Sequence, residues 1–121
     1  MNAGAYGAAA AGSVIGALLR WGVGLALAGV AGWPWATLFV NLTGAFAIGL
    51  LAAHPCVDHP LGRHFTMTGL CGGYTTFSAF SLETLHALQG GDVGGATAYA
   101  ATTIAGSLLA VWLGEVVGAR L

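Results

Sequence analysis

The sequence predicts an all-α membrane protein with four transmembrane helices per chain, the third of them broken, paired as an antiparallel dual-topology homodimer. Three observations predict it. Hydrophobic residues make up 57% of the 121-residue chain and charged residues 6%, against about 25% charged in a soluble domain. Mean hydropathy is +0.83. The charged side chains, Arg20, Asp58, Arg63, Glu83, Asp92, Glu115 and Arg120, leave stretches long enough to cross a bilayer, which takes roughly 20 apolar residues. The arginines are also too evenly spread to fix an orientation. With four spans, Arg63 and Arg120 fall on one side and Arg20 toward the other, which is almost no bias under the positive-inside rule. A chain inserted both ways round is free to pair antiparallel. With a net charge of −1 and no lysine, there is no basic patch for nucleic acid.

The whole of 1–121 reads as one membrane domain. The first span runs from about 4 to 30. It lacks the charged n-region of a secretory signal, and its apolar run passes any plausible cleavage site. Gly32-Trp33-Pro34-Trp35 reads as a tight turn, its tryptophans at headgroup level. The second span follows from about 35 to 53. His54 to His64 is the most polar stretch and holds two of the three prolines, so it reads as a loop. The third span runs from about 65 to 88. Gln89-Gly90-Gly91-Asp92 leads to the fourth, about 93 to 117. Cys56 and Cys71 form no disulfide framework, and the histidines and cysteine of the loop fit no standard metal spacing. Glycine numbers 21. Gly12/Gly16, Gly91/Gly95 and Gly114/Gly118 have the spacing that lets membrane helices approach closely.

Polar residues inside spans are costly and tend to mark function. Asn41 is the conspicuous one in the second span. Its amide suits interhelical hydrogen bonding as well as an ion path, and Ala45 and Gly49 continue its face. In the third span, Gly72-Gly73 followed by Thr75-Thr76 invites a helix break. Irregular backbone at that depth is tolerated only inside protein or along a polar cavity. The freed carbonyls suit a cation, and the amides and hydroxyls an anion. Phe77 and Phe80 share a helix face. Periodicity favours packing for them, while their electropositive ring edges suit an anion. Tyr99, Thr103 and Ser107 recur at i, i+4 and i+8, which lines three hydroxyls along one face of the fourth span.

Three strings carry a resemblance: Gly16-Ala17-Leu18-Leu19-Arg20-Trp21, Thr37-Leu38-Phe39-Val40-Asn41-Leu42-Thr43-Gly44, and Gly72-Gly73-Tyr74-Thr75-Thr76-Phe77-Ser78-Ala79-Phe80-Ser81. Over essentially its whole length the chain resembles the Fluc, or CrcB, family of fluoride channels. The resemblance implies a multi-pass protein of the cell (inner) membrane that passively exports fluoride and so lowers its toxicity. It implies an antiparallel homodimer with two pores. Asn41 would donate to fluoride, Phe77 and Phe80 would present ring edges, and Tyr99, Thr103 and Ser107 would form a polar track. Gly72 and Thr75 would offer backbone carbonyls to a structural, central sodium ion shared by both chains. Arg20 matches the family's first-span arginine, without a contact assigned to it. Ser13, Ala36 and Ala79 depart from the family pattern, and Ala79 removes one hydroxyl. The rival is a small dual-topology multidrug or cation exporter, which needs an acid deep in its first span; this span has none. An enzyme is disfavoured, since no nucleophile–base pair or metal cluster stands out.

Overall fold

The computed structural model describes residues 2–121. Its helices are α1 (Ala3–Ala26), α2 (Trp35–Ala53), α3 (60–74), α4 (Phe77–Gln89) and α5 (Val93–Gly118), with a short 3-10 turn at Pro55–Val57. Helices α1, α2 and α5 are each long and apolar enough to cross a membrane. The third segment is bent: α3 and α4 stand in tandem, separated by Thr75 and Thr76.

Four of the five helices, all but α2, begin where a side chain takes an orphan N–H. Asn2 accepts from Gly4 N at 3.0 Å, Thr76 from Ala79 N at 3.1 Å, and Asp92 from Gly95 N at 2.9 Å. The His59 ring accepts from Leu61 N at 3.3 Å, with Pro60 as the first helical residue of α3. Helix α4 closes at Gly91, whose φ of +84° favours glycine. There Gly91 N reaches the Leu88 carbonyl and Asp92 N the Ala87 carbonyl, a pairing that satisfies the last carbonyls.

Helix α1 stops at Ala26 and runs out through turns around Leu27 and Val30, short of the residue 30 expected from hydropathy. Low hydropathy contrast cannot mark where a glycine-rich end frays. Helix α3 begins at Pro60, inside the stretch expected as loop, because a proline suits a first helical turn despite its polar neighbours. From His64 to Cys71 it is wound as a π-helix, a wider turn that recurs at functional sites and that no sequence pattern announced.

Two glycine seams hold the helices together. In the first, α1 lies on α3. A Cβ at Gly12 would meet Leu70 N at 2.8 Å, and one at Gly16 would meet Tyr74 N at 2.7 Å. From the other side, a Cβ at Gly69 would meet Gly12 Cα at 2.9 Å and one at Gly73 would meet Ser13 Cα at 2.9 Å. In the second, α5 lies on α2: a Cβ at Gly114 would meet Leu50 N at 2.8 Å, one at Gly118 would meet the Leu50 backbone, and one at Gly49 would meet the Val111 backbone and Glu115 N. The glycines at 91 and 95 have other work, the α4 turn and the α5 cap. A small apolar cluster of Leu38, Phe80 and Tyr99, flanked by Trp33, Leu42 and Ala100, joins α2, α4 and α5.

Gly16→Val should therefore push α1 off the backbone of α3. Overpacking costs about 1–3 kcal/mol, and here the neighbour is backbone, which cannot rotate away. Gly22→Ala, with nothing within 4 Å of the new carbon, should leave stability unchanged. Thermal unfolding of the two variants in detergent separates them: equal midpoints would remove the seam from the account.

Candidate functional site

The site is the gap between α3 and α4. Thr75 (φ −85°, ψ 159°) and Thr76 (φ −150°, ψ 118°) are extended. An extended pair in hydrocarbon strands backbone groups at several kcal/mol each. Asn41 meets this need. Its Nδ2 donates to the Thr76 carbonyl at 3.0 Å, and its Oδ1 accepts from Thr76 N at 2.8 Å. The side-chain amide thus pairs with one residue's backbone as a neighbouring strand would. Gly44, on the next turn of α2, leaves room for the pair: a Cβ there would meet Tyr74 Cδ1 at 3.1 Å and the Thr75 methyl. The Tyr74 hydroxyl lies 2.9 Å from Thr43 Oγ1. Thr43 spends its own proton on the Phe39 carbonyl, so Tyr74 is the donor.

The carbonyls around the break are sorted by these bonds. Cys71 O accepts both Thr75 N, at 3.0 Å, and Thr75 Oγ1, at 2.9 Å. Gly73 O accepts Arg20 Nε at 3.1 Å. In a continuing helix Thr76 N would close on the Gly72 carbonyl, and Ala79 N on that of Thr75. Asn41 takes the first and Thr76 Oγ1 takes the second. The two carbonyls expected to face a cation are the two whose helical donors are diverted by named side chains.

An open cleft of about 460 Å³ lies against the break. Asn41, Gly72, Thr75, Phe77, Phe80, Thr103 and Ser107 all line it, which brings together residues from α2, α3, α4 and α5. Asn41 keeps one amide hydrogen beyond the one it gives to Thr76. Thr103 Oγ1 is buried without a hydrogen-bond partner. The rings of Phe77 and Phe80 are 5.5 Å apart and tilted by 54°. Their surroundings differ sharply. Phe80 is 7% exposed in the α2–α4–α5 cluster, while Phe77 is 78% exposed.

Tyr99 is the expected member that does not line the cleft. It lies behind Phe80, ring centroids 5.4 Å apart, and its hydroxyl donates to Glu83 Oε2 at 2.7 Å. Thr37 Oγ1 donates to Glu83 Oε1, also at 2.7 Å. Sequence reasoning counted Glu83 only among the charged side chains and gave Thr37 no task. The signal was present: Thr37 precedes Asn41 by one helical turn, and Glu83 follows Phe80 by nearly one, so each shares a face with a site residue. Among the described residues, no three or more His, Cys, Asp or Glu side chains cluster for a metal. In the loop, the His54 ring accepts from Cys56 N at 3.0 Å.

Fold and cleft together define a small multi-pass helical membrane protein with a neutral polar site at a broken helix, and no catalytic group is assembled there. Residues 7–115 match the model of the CrcB-like protein, Camphor Resistance (CrcB) family. The chain is 48% identical over 120 residues to fluoride-specific ion channel FluC 1 of Bradyrhizobium diazoefficiens, covering 95% of this chain and 84% of the relative. It is 49% identical to FluC 1 of Rhodopseudomonas palustris, with 96% and 87% covered. It is 44% identical to FluC of Paramagnetospirillum magneticum, with 92% of each covered. The chain belongs to the CrcB family.

Asn41→Leu keeps a side chain of similar bulk but leaves Thr76 N and O without partners. At about 1–3 kcal/mol for each buried group, the variant should lose several degrees in thermal midpoint and lose transport. Asn41→Asp retains the acceptor for Thr76 N and sets an oxygen against the Thr76 carbonyl, so it should also be destabilised. If both unfold at the parent midpoint, the amide is no clip.

Proposed function

We propose that the chain is one subunit of a fluoride-specific ion channel that lets fluoride leave the cell passively across the inner membrane. The family match over nearly the whole chain carries the reading, since the relatives named above are called fluoride-specific ion channels. The cleft supplies the physics. Fluoride holds its water strongly, so a path must replace that shell with donors; a lysine or arginine at the narrowest point would hold the ion too well. Conduction needs binding that is favourable yet shallow and repeated. The spare Asn41 amide hydrogen, the free Thr103 hydroxyl, Ser107 and the ring edges of Phe77 and Phe80 are neutral donors in series. The Tyr99 hydroxyl reaches this path only by leaving Glu83. The exporter alternative falls with the family match and with an α1 that carries no acid.

In this reading the tandem α3–α4 is the third of four spans, and two chains pair antiparallel. The large exposure of Phe77 supports a partner ring beside it. The Gly72 and Thr75 carbonyls, whose helical donors Thr76 N and Ala79 N are diverted, fit a hard cation, which takes oxygen ligands. Sodium would supply fixed positive charge there, and the chain's own part is to keep those two carbonyls free and in place.

Liposomes holding the purified protein should release fluoride and retain chloride; equal release of both would refute the assignment. Phe77→Ile should cut the flux strongly at the parent thermal midpoint, because Phe77 packs against little of its own chain. Phe80→Ile should cut flux and lower the midpoint, since Phe80 belongs to the apolar cluster. Parent-rate flux in both variants would make the rings packing residues only.

A tag on the C-terminus should be found on both sides of the membrane in one preparation. Adding lysines to the 54–64 loop should bias insertion and reduce flux as antiparallel partners become scarce. A tag found on one side alone would refute dual topology.

A further inference from the structure

The path described above gives Arg20 no task, yet an arginine within a membrane helix is costly and is kept only with a partner. Its partner is unusual. Arg20 Nε donates to the Gly73 carbonyl at 3.1 Å, across a sequence separation of 53 residues. Gly16 stands one turn before Arg20 on the same face of α1, and it is Gly16 that lets α1 reach the Tyr74 and Gly73 backbone. The seam therefore delivers the guanidinium to the last turn of α3. That turn ends in free carbonyls, as any helix C-terminus does, and a cationic side chain from elsewhere is a standard way to occupy one. Gly72 and Gly73 lack the Cβ atoms that would otherwise restrict their peptide planes. Without an anchor, the Gly73 carbonyl is free to swing toward whatever cation its neighbours attract.

We propose that Arg20 is a positioning residue for the break: by taking the Gly73 carbonyl, it fixes the end of α3 so that Gly72 and Thr75, and not Gly73, offer oxygens to an alkali cation. The inference rests on the sodium reading given above and goes beyond it by naming the residue that selects the ligands. Hydrogen bond and charge here act in opposite directions. The Nε–H bond arranges the carbonyls, whereas the positive charge on the same helix end repels a second cation.

That opposition makes three substitutions informative. In Arg20→Gln the amide nitrogen occupies the chain position of Nε, attached to the same δ carbon, so the donor stays and the charge goes. In Arg20→Lys the charge stays and that position becomes a methylene. Arg20→Leu removes both. The readout is the thermal midpoint of the purified protein in detergent, titrated with sodium chloride against N-methylglucamine chloride at constant ionic strength. Fluoride flux in liposomes at high and low sodium runs alongside.

The parent should gain stability with sodium. Arg20→Gln should need the same or less sodium for half the effect. Arg20→Lys and Arg20→Leu should need roughly tenfold more, the order expected for one lost hydrogen bond to a charged group. If Lys titrates as the parent does and Gln is the weakened variant, charge and not position matters, and the proposal is overturned. If all variants lose midpoint equally but keep the parent's sodium dependence, Arg20 is a structural cap and the proposal is overturned. If the parent itself shows no sodium-specific gain, the sodium reading fails first and this inference goes with it. Should Lys or Leu fail to fold, Arg20→Gln against the parent still decides: a raised sodium requirement overturns it.

Discussion

The interruption of the third segment depends on one side-chain amide. Backbone cannot leave a helix inside hydrocarbon unless its N–H and C=O find partners, and at Thr76 both are found on Asn41. The cleft follows from that exchange. With Thr76 N turned to Asn41, the Gly72 carbonyl loses its helical donor; with Thr76 Oγ1 capping α4, the Thr75 carbonyl loses its own. A residue that by type resembles a pore donor is thus first the splint of the broken helix, with one amide hydrogen to spare.

The splint works only because α2 comes close to the break, an approach that Gly44 permits, since a Cβ there would meet Tyr74 and Thr75; the two glycine seams hold α3 on α1 and α2 on α5. In both seams the neighbour of the missing Cβ is backbone. Helix association in lipid gains little from burying apolar surface and depends on close contact and hydrogen bonds. The apolar core is correspondingly small, while side chains such as Trp21, Leu108 and Trp112 are 66%, 69% and 58% exposed. Such an exterior suits lipid or another copy of the chain.

Charge is arranged around the cleft and kept out of its neutral lining. Glu83 is held by Thr37 and Tyr99 on one side of Phe80, and Arg20 is held by Gly73 on the far side of α3. Each is tied by hydrogen bonds to neutral groups and not to the other. On the proposed function, a mobile anion would meet dipoles and ring edges along the cleft, which suits binding without trapping.

The sequence by itself determined the membrane class, since a chain with 6% charge has no soluble surface to offer. It also located the long helices to within a few residues and drew attention to Asn41, Phe77, Phe80, Thr103 and Ser107, because a polar or aromatic cluster stands out against hydrocarbon. It suggested a break where Gly72-Gly73 is followed by Thr75-Thr76. Only the tertiary structure showed that Gly72 and Gly73 stay helical, with Gly73 spent on the approach of Ser13, and that Thr75 and Thr76 are the extended pair. Only the tertiary structure turned Tyr99 to Glu83, gave Arg20 its carbonyl, wound His64–Cys71 as a π-helix and made Phe80 buried and Phe77 open. Residue type and period fix which face of a helix a group occupies. Which groups meet across helices depends on axial height, and that is set by glycine contacts between segments far apart in the chain.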